Sequence, residues 1–198
     1  MIGIVDYGMG NLRSVQKAVE FLGEKAVVSG ETERLDGCQK LILPGVGSFA
    51  AGMENLKQSG LHEYVSMRKG DTPILGICLG MQFLLDESEE EGVCEGLHFV
   101  DGRVVRFDDR LGKVPHMGWN SVENVRTPLF DGIGDGTQFY FVHSYYVATK
   151  AENEIARTQY LVPFSSAVNV GTVYGVQFHP EKSGDAGLHL MENFIKRI

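Results

Sequence analysis

The sequence predicts an α/β protein: a mainly parallel central sheet flanked by helices, with antiparallel strands in the C-terminal half. Three observations lead there. Short apolar runs alternate with amphipathic helical patterns from Ile2 to Leu85, the rhythm of parallel strands covered on both faces. Glycine-rich turns follow those runs at Gly8-Met9-Gly10, Gly45-Val46-Gly47 and Gly76-Ile77-Cys78-Leu79-Gly80. Further along, short β-rich runs follow one another until a last amphipathic helix closes the chain.

The first strand is Ile2 to Val5, and the helix after it carries Leu12, Val15, Val19 and Leu22 on one face, with Gly23 as its C-cap. The intervening turn, Asp6 to Asn11, is not a dinucleotide fingerprint. That motif needs glycine or alanine where Arg13 stands. Lys25 to Ser29 and Lys40 to Leu43 form two more strands, the second entering Pro44-Gly45-Val46-Gly47-Ser48-Phe49. A loop of that composition at the carboxyl end of a buried strand can turn backbone N–H groups toward a ligand. Helices follow around Met53 to Gln58 and Leu61 to Met67, parted by Gly60. Ile74 to Ile77 is a buried strand entered through Pro73, and Met81 to Leu85 begins the next helix. An acidic run, Asp86 to Glu91, is ordinarily a solvated face. Here it lies one helix beyond a thiol, within reach of an amine-bearing ligand.

Leu97 to Val100 and Val104 to Phe107 form an expected hairpin around Asp101-Gly102. Strands are expected at Thr137 to Val142, Ile155 to Tyr160, Ser165 to Val170 and Thr172 to Phe178. Gly184 to Arg197 is the closing helix, with Leu188, Met191, Phe194 and Ile195 inward. With no repeat and no low-complexity linker, residues 1–198 are expected to form one domain.

Composition narrows the function. A hydrophobic fraction of 43% with 22% charged residues is ordinary for a globular chain. The formal charge of −8 disfavours nucleic acid and anionic membranes, leaving small molecules or proteins as partners. Asp6 comes too early for a signal peptide, and no apolar run reaches transmembrane length, so a cytoplasmic protein is expected. Cys38, Cys78 and Cys94 show no paired spacing, and neither Cys-x-x-Cys nor His-Glu-x-x-His occurs. No disulfide framework, metal site or cofactor is expected, and Cys38 and Cys94, in polar, loop-like stretches, receive no role.

Cys78 differs in its setting. Gly-x-Cys-x-Gly between a strand and a helix is what a sharp nucleophile-bearing elbow requires, because a Cβ at either glycine would clash with the crossing backbone. N–H groups at the start of the helix favour a thiolate and can bond an oxyanion. A free cysteine is otherwise commonly a small buried hydrophobe, so the partners decide. Candidate bases are His62, His98, His116, His143, His179 and His189. His179 follows a strand and precedes Pro180-Glu181, and extended geometry before proline lets His179 and Glu181 project to one side. Nucleophile, base and orienting carboxylate are then all present.

With Gly-x-Cys-x-Gly-x-Gln at 76–82 and His-Pro-Glu at 179–181, the sequence resembles the class I (triad) glutamine amidotransferases over essentially its full length. Asp6-Tyr7-Gly8-Met9-Gly10-Asn11, Pro44-Gly45-Val46-Gly47, Pro115-His116-Met117-Gly118-Trp119-Asn120 and Phe141-Val142-His143-Ser144-Tyr145 resemble, within that family, the glutaminase subunits of imidazole glycerol phosphate synthases. The resemblance implies hydrolysis of L-glutamine by Cys78, His179 and Glu181. It also implies oxyanion donors at Val46, Gly47 and Leu79, and a substrate pocket at Gly45, Gln82, Glu90, His143, Ser144 and Tyr145. The implied partner is a (β/α)8-barrel cyclase, bound as a heterodimer through Asn11, Met117, Trp119, Asn120, Tyr140 and Lys182, with Trp119 alternatively a core aromatic. A glutaminase serving another synthase, such as one making pyridoxal phosphate, and a non-catalytic binding module both remain open at this point.

Overall fold

The computed structural model describes residues 1–198. Strands β1 (Ile2–Val5), β2 (Ala26–Ser29), β3 (Lys40–Gly45) and β4 (Ile74–Cys78) are linked by α1 (Leu12–Phe21), α2 (Thr32–Leu35), α3 (Phe49–Gln58) and α4 (Leu61–Met67). Helix α5 (Leu79–Phe83) leaves β4 without an intervening residue. Then come β5 (Glu87–Ser88), β6 (Cys94–Glu95), β7 (Gly102–Arg106), β8 (His116–Ser121), β9 (Gln138–His143) and β10 (Tyr145–Thr149). Strands β11 (Glu154–Gln159), β12 (Pro163–Val170) and β13 (Val173–Val176) lead through a 3-10 turn at Pro180–Lys182 into α6 (Gly184–Arg197).

The main sheet runs β2-β1-β3-β4-β13-β12-β10-β7-β5-β6, with β11 paired to β12, while β8 and β9 form a separate antiparallel ribbon. The neighbours from β2 to β13 are all parallel. From β13 to β7 the pairs are antiparallel. The parallel strands are apolar on both faces, as strands covered on both sides must be. Ile2, Ile4, Ile42, Leu75 and Ile77 pack with α1 and α6, and Val5, Leu41, Leu43 and Ile74 with α2, α3, α4 and α5. Period-two alternation thus divides one hydrophobic sequence between two cores. No helix is long and apolar enough to cross a membrane.

Several expectations need correction. Leu97 to Val100 is not half of a hairpin. Its amides donate to the carbonyls of Phe83, Leu84 and Leu85 instead, and β7 pairs with β10 and β5. The apolar character that suggested a strand serves a loop whose Leu97, Phe99 and Val100 fill the α3–α5 core. Helix α5 starts at Leu79 rather than Met81, directly on the cysteine, and α3 reaches back to Phe49. Cys38 is buried in that same core, not in a polar loop. On α6 the most buried positions are Leu190, Met191 and Phe194; Leu188 is only half-buried.

Candidate active site

Three chain reversals at the carboxyl end of the parallel sheet meet at Cys78, the edge where ligands of open α/β sheets bind. β4 delivers the thiol, β3 runs beside it with Gly45 opposite Cys78, and β13 leads to His179. Cys78 has φ +55° and ψ −110°, a strained conformation for a residue with a side chain. The two glycines make the elbow possible. A Cβ at Gly76 would lie 2.6 Å from the Gly80 carbonyl oxygen, and one at Gly80 would collide with the Leu43 carbonyl oxygen.

His179 and Glu181 are joined by an Nδ1···Oε1 contact of 2.9 Å, with both side chains at most 2% exposed. The short 3-10 turn after Pro180 brings them together. The Asn11 amide approaches the same Glu181 oxygen at 3.5 Å. His179 Nε2 is buried without a hydrogen-bond partner. Burial alone would pull the His179 pKa down. Its contacts with Cys78 and Glu181 overcome that and raise it to about 10. The Cys78 sulfur accepts an N–H from Gln177 Nε2 at 3.7 Å and lies 4.0 Å from the Val142 carbonyl oxygen.

A cavity of about 440 Å³ opens over the thiol and His179, within the size range of small-molecule sites. Val46, Gly47 and Leu79 line one side, and Gln82, Glu90, His143, Ser144 and Tyr145 the other; Pro115 and Val142 complete it. Gly45 is the expected pocket residue absent from the lining. A Cβ there would sit 2.7 Å from both the Gly80 nitrogen and the Leu79 Cβ, so its place is in packing the elbow. Gln82 faces the cavity, yet its Nε2 donates to Tyr145 O and Gln177 Oε1, each at 3.1 Å, which makes it a strut between two walls. Glu90 accepts the Phe49 N–H at 2.8 Å at the start of α3. Burial raises its pKa, the Phe49 bond partly opposes this, and Glu91 adds to it.

Of the expected interface residues, Asn11, Tyr140 and Lys182 lie at the triad: Asn11 contacts Glu181, the Tyr140 carbonyl accepts the His179 N–H and Lys182 follows Glu181. Met117 and Trp119 are 60% and 54% exposed on one face of the β8–β9 ribbon, and Tyr140 meets Trp119 edge to face at 6.2 Å. Trp119 is therefore not a core aromatic. Lys182 is exposed beside the His179 turn. Asn120 turns inward instead, its Nδ2 donating to Gln159 O at 3.0 Å and reaching His116 Nε2 at 3.2 Å.

Sequence reasoning gave no role to Gln177 or Tyr7. Gln177 lies two residues before His179, so strand periodicity alone places it on the same side as the base. Tyr7 donates its hydroxyl to Pro44 O at 2.8 Å, pinning the turn after β1 to the end of β3. Burial, then Cys78, hold its phenol pKa above the ordinary value. No local signal in the sequence marks this contact, since 37 residues separate the two ends.

Comparison with known proteins identifies the family. The family model described as "Glutamine amidotransferase class-I" matches residues 4–198. Imidazole glycerol phosphate synthase subunit HisH of Methanocaldococcus jannaschii is 49% identical over 201 residues, covering 100% of both chains. HisH 1 of Campylobacter jejuni is 48% identical over 99% of this chain and 100% of its own. Among solved structures, PurLQS from Thermotoga maritima superposes with a TM-score of 0.77 over 99% of this chain and 97% of the other at 19% identity. The crystal structure of a glutamine amidotransferase superposes with a TM-score of 0.75 over 98% of both chains at 23% identity. These two likenesses speak to the fold, whereas the full-length relatives at nearly half identity speak to descent. By both the profile match and those relatives, the chain belongs to the class-I glutamine amidotransferases, in the group of HisH subunits of imidazole glycerol phosphate synthase.

Proposed function

We propose that Cys78, His179 and Glu181 hydrolyse L-glutamine and that the ammonia passes to a (β/α)8-barrel cyclase bound as a heterodimer to the Met117–Trp119 face. The observation that carries this reading is the unpartnered, buried His179 Nε2 beside Cys78, with Nδ1 held by Glu181. An imidazole fixed at one nitrogen and free at the other beside a thiol is the base of a nucleophile-base-orienter set.

His179 already holds the proton drawn from the Cys78 thiol, and the sulfur paired with this imidazolium attacks the side-chain amide carbon of glutamine. The carbonyl π electrons move to oxygen, and backbone N–H groups at Leu79 and along Val46-Gly47 stabilise that oxyanion. Each such donor is worth roughly 3 kcal/mol of barrier. Collapse breaks the C–N bond while His179 returns its proton to the departing nitrogen, giving ammonia and a glutamyl thioester. Water then adds with the now neutral His179 as base, the C–S bond breaks, and the proton stays on His179 opposite the freed sulfur as glutamate leaves. Glu90 receives the substrate α-ammonium, and the Ser144–Tyr145 wall confines the rest. Three free thiols suit a reducing cytoplasm, where this chemistry is placed.

The test uses glutamine labelled at the amide nitrogen, supplied to the chain with and without its synthase partner and that partner's nucleotide ligand. Label is expected in the partner's product with native protein. Cys78→Ala is expected to abolish it while product formation from added ammonia persists. Retention of glutamine-dependent product in Cys78→Ala would overturn the assignment.

A further inference from the structure

Two histidines inside the molecule, His116 and His143, take no part in the mechanism above, yet they lie in the wall of the glutamine cavity and directly behind it. They face each other across the β8–β9 ribbon, with His116 Nδ1 2.9 Å from His143 Nε2. His116 is sandwiched between the rings of Phe141 and Tyr160, at centroid distances of 4.8 and 4.1 Å. Both are buried.

The hydrogen bonds around the pair admit one arrangement of protons. Asn120 Oδ1 accepts the Ser121 N–H at 2.8 Å and its Nδ2 donates to Gln159 O, which fixes the amide. The same Nδ2 is 3.2 Å from His116 Nε2, so that nitrogen is an acceptor and the His116 proton sits on Nδ1. His116 Nδ1–H therefore donates to His143 Nε2. His143 carries its proton on Nδ1 and donates to Tyr145 O at 2.7 Å, a carbonyl that can only accept. Burial keeps both rings neutral, lowering His116 to about 4; in His143 the Tyr145 bond opposes it, while His116 and His179 reinforce it, giving about 3.

The chain does not stop at Tyr145. Its carbonyl also accepts Gln82 Nε2, which donates in turn to Gln177 Oε1, and Gln177 Nε2 donates to the Cys78 sulfur. We propose that His116 is a positioning residue for glutamine hydrolysis: a relay in which Asn120 donates to His116, His116 to His143 and His143 to the Tyr145 carbonyl fixes that carbonyl as the shared acceptor of Gln82, whose amide in turn holds Gln177 and so orients the Cys78 sulfur. The relay starts on the inner side of the ribbon whose outer side carries Met117 and Trp119. A shift of that ribbon on docking reaches the nucleophile through bonds already formed. The inference rests on the proposed assignment of Cys78 as nucleophile.

Two measurements test it on the full chain. Nitrogen-15 NMR of labelled histidines at neutral pH is expected to show His116 and His143 as neutral Nδ1–H tautomers. An Nε2–H tautomer or a charged ring at either overturns the relay, whatever any variant does. In the complex with the synthase partner, His116→Phe keeps the aromatic stack and removes the donor, leaving His143 Nε2 buried and unpaired. Glutamine-dependent kcat/KM is expected to fall roughly 10- to 100-fold, the scale of one orphaned buried acceptor, with ammonia-dependent turnover unchanged. His116→Asn, whose amide N–H can stand where Nδ1–H stood, is expected to recover most of the loss. A His116→Phe enzyme within twofold of native overturns the proposal. If instead Cys78→Ala kept glutamine-dependent activity, the functional assignment would fail, a result separate from either outcome at His116.

Discussion

At the level of single residues, the His179 environment sets a pH dependence with a definite sign. Burial acts against the imidazolium, and Cys78 and Glu181 outweigh it, placing the native value at about 10. The unfolded chain titrates near 6.5. Because the native state holds the proton more tightly, the stabilisation is fully present below about pH 6.5, declines as pH rises, and is gone above the native value. Urea unfolding of the native protein is therefore expected to show stability falling between pH 7 and pH 9.5. Glu181→Gln, which keeps the shape but removes the charge, should flatten that slope. NMR should also show His179 still protonated at pH 8 in the native chain but less so in the variant. Equal pH slopes in the two proteins would contradict this account. The same scale shows what a sequence conveys about a site. Cys78, His179 and Glu181 stand in motifs whose glycines and proline have local steric meaning, so their meeting at one sheet edge was legible. Gln177 and Tyr7 were not singled out, because their importance is a contact: an amide on sulfur, and a phenol on a carbonyl from a distant turn.

Among elements, legibility followed hydrophobic periodicity. Helices α4 and α6 have the expected bounds, Leu61–Met67 and Gly184–Arg197, since a glycine marks the start of each, Gly60 just before α4 and Gly184 as the first residue of α6, and an apolar stripe fixes the rest. Strands β8 and β10 lack a two-residue apolar alternation; β8 places His116 and Asn120 where a core strand would place Val or Ile. His116 is buried and Asn120 half-buried, and the two bond one another, which no hydropathy pattern can express. Contacts between elements also end α6. Lys40, at the start of β3, donates from Nζ to the carbonyls of Phe194 and Ile195 at 2.9 and 2.5 Å. A cation on the last turn satisfies carbonyls that the helix leaves open and opposes its dipole. Lys40→Met retains the aliphatic stem and removes the donor. It is expected to lower stability by about 1 kcal/mol, read as a reduced urea midpoint with an unchanged m value. No change in midpoint would mean that water replaces the ammonium at no cost.

For the whole molecule, the division of labour between core and surface is sharpest at the β8–β9 ribbon. The main sheet is enclosed by helices on both faces, while the ribbon turns His116, Phe139, Phe141 and His143 inward and leaves Met117 and Trp119 more than half exposed. Large apolar side chains open to water, with Tyr140 against the indole, fit the docking face proposed above and bury little area in folding. Trp119→Ala separates the two roles. Because the ring is 54% exposed and touches Tyr140 at an edge, its loss should change unfolding free energy by no more than about 0.5 kcal/mol. If Trp119 anchors the proposed heterodimer, the same truncation should cost about 2 kcal/mol or more of binding, roughly a 30-fold rise in Kd for the synthase partner. Calorimetric titration of the two subunits, beside urea unfolding of this chain alone, reads both quantities. If stability falls and affinity holds, Trp119 belongs to the fold and the docking face must be sought elsewhere.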